Sequence, residues 1–174
     1  ERMVPPDDPH SNFGNAWRYL IDPLGIPKEQ VHRIRGEEDP HGEAVRYGQL
    51  LRDQLPVENG LPVFDWIWLG LGEDGHTALL FPGYPLLDEK SRWAAPVFDS
   101  PKPPPERITL TLPVINQARH VVFVTAGAGK ANVLVRVLAS DDMRDKLPAQ
   151  LVRPTEGELF WFVDETAAAK LNHN

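Results

Sequence analysis

The chain has 174 residues, 41% hydrophobic and 25% charged, with no cysteine and a formal net charge of −7; this suits one globular α/β domain over 1–174 and excludes disulfides and thiolate metal sites. No apolar run approaches the roughly 18 residues that span a bilayer and no signal core opens the chain, so neither membrane nor export is expected and the cytoplasm is the default compartment. The acidic balance argues against nucleic acid, whose phosphates need clustered Lys and Arg, but leaves room for a local basic pocket holding one phosphate.

The chain opens on Glu1-Arg2-Met3-Val4-Pro5, which offers neither an initiator Met nor the start of a helix or strand. A missing N-terminal segment is expected. Eighteen prolines fall mostly between periodic segments and act as punctuation. After the loop Pro5-Pro6-Asp7-Asp8-Pro9, Ser11 or Asn12 can cap a helix through Leu20 that ends near Pro23-Leu24-Gly25. Val31 to Ile34 reads as a short extended run. Ala44, Tyr47, Leu51 and Leu55 recur at helical spacing over Glu43 to Leu55.

Val63-Phe64-Asp65-Trp66-Ile67-Trp68-Leu69 is the clearest strand, rich in aromatic and β-branched residues, and reads as buried. Arg107 to Leu112 alternates apolar and polar residues, and Pro113 can open a short helix containing Ile115 and Ala118. His120 to Thr125 is a further strand. Gly127-Ala128-Gly129 then leads into a helix from Lys130 to Leu138. Leu159 to Val163 is the last strand, and Asp164 caps a closing helix through Ala167, Ala168 and Leu171. Ser100 to Pro105 reads as a stiff surface loop. Strand and helix alternate, which favours a mainly parallel sheet covered by helices, with ligands where loops leave the carboxyl ends of strands.

The segment richest in chemistry is Gly70-Leu71-Gly72-Glu73-Asp74-Gly75-His76-Thr77-Ala78, directly after a strand. Its glycines let the backbone approach a ligand, and N–H groups at a following helix start can receive an anion. His76 can take a proton from water, with Asp74 or Glu73 orienting the ring. Equally, the glycines can make only a tight turn and His76 can cap the next helix. Gly70, Gly72 and Gly75 also satisfy the dinucleotide fingerprint, but Pro82, Gly83 and Pro85 arrive too soon for the helix it requires.

Arg2, Arg107 and Lys130 each stand where a sheet-end pocket can draw them in. Arg offers phosphate a two-pronged match and Lys a point charge, although a solvated surface charge is the alternative for each. His10, His32, His41, His120 and His173 show no ligand-like spacing. There is no His-Glu-x-x-His, so a metal has little support, and no Gly-x-Ser-x-Gly elbow. A water-activating histidine is what remains.

Residues 70 to 78, continuing to Leu80-Phe81-Pro82, resemble the signature of the 6-phosphogluconolactonase family. Glu1-Arg2, Val4-Pro5 and Ser11-Asn12-Phe13 resemble its Asp-Glu-Arg, Val-Pro and Ser-Asn-Tyr block. Pro103-Pro104 through Thr111 resembles a second signature, and Gly127 to Lys130, Pro148-Ala149, Trp161, Asp164 and Ala167-Ala168 complete the series. The resemblance implies the Rossmann-like fold shared with glucosamine-6-phosphate deaminases and ribose-5-phosphate isomerases, a mainly parallel sheet with helices on both faces.

It also implies cofactor-free, metal-free hydrolysis of a sugar-phosphate lactone. His76 would be the general base, Asp74 its support, Gly72 and Gly75 the lining of the reacting end, and Arg2, Arg107 and Lys130 the phosphate and sugar contacts. Two departures stand out. Ala78-Leu79-Leu80-Phe81-Pro82 replaces the family's Ala-Ser-Leu-Phe-Pro, and nothing before Glu1 supplies the family's opening strand, helix and Gly-rich phosphate loop. That missing N-terminal segment is itself an expected partner. The rivals are an amino-sugar-phosphate isomerase or deaminase, whose relatives usually run on to Asn-Glu-Pro, and a non-catalytic sugar-phosphate-binding domain.

Overall fold

The structure, a computed structural model, describes residues 1–139 and 147–171. His173, given no role above, lies outside them. The chain divides into two compact units, one made of Glu1–Leu51 and Ala94–Thr109, the other of Arg52–Trp93 and Leu110–Asn174.

In the first unit Ser11 caps helix α1 (Asn12–Ala16), its hydroxyl accepting the Gly14 N–H at 2.9 Å. The chain runs on into a π-helical turn over Trp17–Ile21. The expected extended run at Val31 to Ile34 forms no strand. Helix α2 (Pro40–Gln54) starts ahead of its periodic segment, because Asp39 accepts the Gly42 N–H at 2.8 Å and Pro40 suits a first turn. Glu43 on α2 is buried, yet its carboxylate accepts from the Arg46 guanidinium and, at 2.7 Å, from the Arg35 N–H. Strands β4 (Ala94–Val97) and β5 (Arg107–Leu110) pair in a two-stranded sheet; β5 lies in this unit except for its last residue. Ala44, Ala94 and Ile108 make a small core with Met3, Ile34 and Tyr47 against it.

The second unit opens with a hairpin, β1 (Val57–Glu58) and β2 (Leu61–Pro62), closed by Asn59-Gly60 with φ of 54° and 79°. Positive φ at both central residues is what a tight Asn-Gly hairpin turn requires. Strands β3 (Trp66–Leu69), β6 (His120–Thr125) and β7 (Glu158–Val163) form a parallel sheet in the order β3-β6-β7, with Leu69, Phe123 and Trp161 in register. Between and after them come helices α3 (Leu112–Asn116), α4 (Ala131–Ala139), α5 (Pro148–Leu151) and α6 (Glu165–Ala168). Asp164 caps α6 as expected, accepting the Ala167 N–H at 2.7 Å.

The core of this unit joins Ile67, Leu69, Val121 and Phe123 of the sheet to Ile115, Val133, Leu134, Ala149 and Ala167 of the helices. Phe123 is fully buried and stacks on Trp161 with ring centroids 4.0 Å apart. Burial of that one ring is worth about 1.5–3 kcal/mol. The fold class is therefore α/β, a parallel sheet flanked by helices.

Two expectations are corrected. The segment read as a buried strand from Val63 is regular only from Trp66, and its alternate side chains are exposed: Trp66 at 55% and Trp68 at 73%. A strand's side chains alternate between faces, and only the face carrying Ile67 and Leu69 meets the core. The alternating run from Arg107 stops as a strand at Leu110, because Leu112 and Pro113 already belong to α3.

Candidate functional site

The glycine loop sits at the carboxyl end of β3 and is braced by its own backbone. The Gly72 N–H donates to the His76 carbonyl at 2.9 Å and the Gly75 N–H to the Gly72 carbonyl at 3.0 Å. The buried Thr77 hydroxyl donates back to the Gly70 carbonyl at 2.8 Å. Thr77 was not among the residues expected in the site, and its type gave no signal: the role comes from the loop closing on itself.

No helix follows. Residues 77–80 make a tight turn with Ala78 and Leu79 at φ of 46° and 63°, and the next regular element is a short 3-10 turn at Pro85–Asp88. The expected helix start, as an anion receiver or as something for His76 to cap, is therefore absent here. The same break removes the helix on which a dinucleotide site depends.

His76 Nδ1 lies 2.5 Å from Asp74 Oδ1, and the His76 N–H donates to the same oxygen at 3.2 Å. With Nδ1–H donated to a carboxylate, Nε2 is left as the acceptor. Burial alone would push the Asp74 carboxyl up, but the bonds from the His76 ring and N–H outweigh it and hold the carboxyl below its ordinary value. The His76 side chain is 17% exposed, with the buried Phe81 ring 4.8 Å away. A ring packed on one side and anchored at one nitrogen presents the other nitrogen in a fixed direction.

The two glycines are sterically required. A Cβ on Gly72 would stand 2.0 Å from His76 Nδ1, and one on Gly75, at φ 84°, would meet Leu147 at 2.9 Å. Lys130 ends a 3-10 turn at Ala128–Lys130 that opens α4. That turn reaches the glycine loop, since a Cβ on Gly129 would stand 2.7 Å from Glu73 Oε1. His76, Asp74, Gly72, Gly75 and Lys130 thus all belong to the second unit.

Arg2 and Arg107 belong to the first unit, where they face each other across an antiparallel bridge. Arg2 Nη1 donates to the His10 carbonyl at 2.7 Å and to Asn12 Oδ1 at 2.9 Å, while its Nε is buried without a partner among the described residues. Arg107 is 3% exposed and donates to the carbonyls of Lys102 and Pro104, holding the proline-rich loop. Burial first, then the Arg2 charge, lowers its guanidinium pKa. Glu1, noted in the sequence for its resemblance alone, is a further organiser: its carboxylate accepts the N–H groups of Asn12 at 2.9 Å and Phe13 at 2.6 Å. No group of three or more His, Asp or Glu side chains among the described residues is arranged to hold a metal. No helix among them is long and apolar enough to cross a membrane.

The geometry can be set beside known proteins. A family model described as glucosamine-6-phosphate isomerases/6-phosphogluconolactonase matches residues 1–161. A human protein named 6-phosphogluconolactonase is 48% identical over 171 residues, covering 98% of this chain and 66% of its own length. A rat protein of the same name is 47% identical, again with 66% of its length covered. The chain thus spans just under two thirds of the length of these relatives. A solved structure of 6-phosphogluconolactonase from Trypanosoma brucei superimposes with a TM-score of 0.86 at 34% identity, over 99% of this chain and 72% of that one.

Proposed function

The chain belongs to the glucosamine-6-phosphate isomerase/6-phosphogluconolactonase family, and from that premise we propose that it hydrolyses 6-phospho-D-glucono-1,5-lactone to 6-phosphogluconate, the lactone-opening step of the oxidative pentose phosphate pathway. The observation that carries the reading is the 2.5 Å contact between His76 Nδ1 and Asp74 Oδ1 in a loop that tolerates no side chain at Gly72. His76 Nε2 takes a proton from water as the water oxygen bonds to the lactone carbonyl carbon. The tetrahedral intermediate collapses by breaking the bond to the ring oxygen, which receives that proton back from the imidazolium. Asp74 stabilises the imidazolium in between. The new carboxylic acid ionises to solvent, so each turnover releases one proton.

A lactone is an activated ester, and one positioned base suffices without a covalent intermediate. Binding energy from the remote phosphate helps place the carbonyl carbon. Lys130, in the same unit as His76, is the cation assigned to the phosphate, while Arg2 and Arg107, the latter holding the carbonyls of Lys102 and Pro104, belong to the other unit. A cysteine-free chain tolerates a reducing compartment, and the cytoplasm is the compartment we assign to it.

The remaining third of the family's length is the expected partner, and its seat is the outer face of the parallel sheet. Trp66, Trp68, Val124 and Phe162 are exposed there, whereas parallel sheets are ordinarily covered on both faces. An amphipathic segment with apolar side chains on one face fits this surface.

The reading is tested by proton release from freshly prepared 6-phosphogluconolactone at neutral pH, corrected for spontaneous hydrolysis, with the chain and with His76→Ala. Acceleration that disappears in the variant supports lactone hydrolysis by this base. Release of ammonia from glucosamine 6-phosphate instead would assign the amino-sugar branch of the family.

A further inference from the structure

We propose that Asp164 is a positioning residue for the phosphate end of the site, fixing the turn that presents Lys130; the phosphate task of Lys130 rests on the reading above. Strands β6 and β7 leave the sheet side by side, with Thr125 and Val163 in register. Immediately beyond them the two chains are tied in both directions. The Asp164 N–H donates to the Thr125 carbonyl at 3.3 Å, and the Gly127 N–H donates to Asp164 Oδ1 at 3.1 Å and Oδ2 at 3.0 Å.

Gly127 has φ 95°, a conformation that L side chains rarely adopt, and the captured N–H belongs to that same residue. The 3-10 turn Ala128–Lys130 follows directly, closed by the Lys130 N–H on the Gly127 carbonyl at 3.0 Å. The direction in which Lys130 leaves β6 is thus set at Gly127. Further along, the Lys170 ammonium donates to Asn132 Oδ1 at 2.6 Å, so the α6 segment grips α4 a second time. On its other side the turn meets the glycine loop through Gly129 and Glu73. Asp164 therefore holds Lys130 in register with the loop that carries His76, without touching substrate.

Capping of α6 is the competing account, since Asp164 Oδ1 also accepts the Ala167 N–H and the Thr166 hydroxyl. Asp164→Ser separates the two roles. Serine caps a helix about as well as aspartate, but its shorter side chain cannot reach Gly127. Asp164→Asn keeps an oxygen for both N–H groups and is the rescue variant.

Amide hydrogen exchange at Gly127 to Lys130 and the steady-state constants for the lactone would be measured on the full chain. In Asp164→Ser the Gly127 amide should exchange about tenfold faster, the loss expected for one hydrogen bond to a charged acceptor. KM should rise about fivefold or more while kcat stays within about twofold and the thermal midpoint stays near the parent's, because binding rather than chemistry is disturbed. Asp164→Asn should recover part of each loss, because its Oδ1 can still accept from both N–H groups although the charge and the second acceptor are gone. Unchanged exchange in Asp164→Ser overturns the proposal, as does a fall in kcat at constant KM.

Should the parent chain fail to hydrolyse lactone, inorganic phosphate decides the inference separately. Phosphate should shift the Lys130 amide resonance in the parent at several-fold lower concentration than in Asp164→Ser. No shift in the parent, or equal titrations, overturns it.

Discussion

Gly72 lies directly against the His76 ring, so close that a Cβ on it would stand 2.0 Å from Nδ1 and 2.5 Å from Asp74 Oδ1. The smallest side-chain addition must therefore break the contact between the imidazole and its carboxylate or move the loop. Gly72→Ala should lower lactone turnover by about 100-fold, since a displacement of about 1 Å at a reacting group costs that much. Far-ultraviolet circular dichroism should be unchanged, because Gly72 lies in a loop outside any helix or strand. Activity within a few-fold of the parent would show that the ring geometry at Gly72 is not required.

Asp74 meets the His76 ring at Nδ1, and removing its charge tests that contact apart from the ring itself. Asp74→Asn should lose turnover by at least about 10-fold and by no more than His76→Ala, because the imidazole loses the partner that fixes its tautomer and stabilises its charged form. His76→Ala should lose on the order of 10²- to 10⁴-fold. The carboxyl is held below its ordinary value of 3.8 in the folded chain. The stability it contributes is therefore fully present above that ordinary value and is lost as pH falls through the lower folded one. Denaturant unfolding of parent and Asp74→Asn should differ at pH 6 and converge in acid.

Elements that carry their own local chemistry were legible in the sequence. Ser11 and Asp164 cap helices because a short oxygen-bearing side chain at a helix start has one obvious use, and both accept the N–H expected of a cap. The glycine loop could be found because glycines, an acid and a histidine rarely share so short a span after a strand. Long-range placement was not legible. Trp66 and Trp68 read as core because aromatic residues usually are, yet which face of a strand is covered depends on segments far away in the chain. Arg107 carries a phosphate-binding group, but its bonds to the carbonyls of Lys102 and Pro104 arise from a loop conformation that no spacing encodes. The turn after His76 was hidden because Ala78 and Leu79 adopt positive φ without being glycine.

Glu89 offers a pH test outside the glycine loop. Its carboxylate gathers the Ser91 N–H and hydroxyl, each at 2.7 Å, the Arg92 N–H at 3.1 Å and the Arg92 guanidinium at 2.6 Å. These bonds, led by the Ser91 N–H, draw its pKa from 4.5 down to about 2. A lowered folded pKa means stability present above the unfolded value and lost on acidification through the folded one. Glu89→Gln should destabilise the chain by about 1 kcal/mol at pH 7, within the range for charged hydrogen bonds near a surface. The difference should shrink between pH 4.5 and 2 and vanish below. A difference independent of pH would mean that packing, not charge, sets the effect.

The outer face of the parallel sheet makes the chain on its own a sticky object. Trp68 is 73% exposed and Phe162 is 62% exposed on neighbouring parts of a surface that also carries Trp66 and Val124. Contiguous exposed apolar area of this kind binds apolar dyes and drives association. The isolated chain should enhance anilinonaphthalene sulfonate fluorescence and show concentration-dependent association in sedimentation velocity. Trp68→Lys combined with Phe162→Lys should weaken both while leaving secondary structure intact, because neither side chain belongs to the packed face formed by Ile67, Leu69, Val121 and Phe123. The part of a relative that this chain does not span, supplied as a separate polypeptide, should quench the dye signal of the parent chain and fail to do so with the double variant. If the dye does not bind the parent, or the added segment quenches both chains equally, this face is not the seat of the partner.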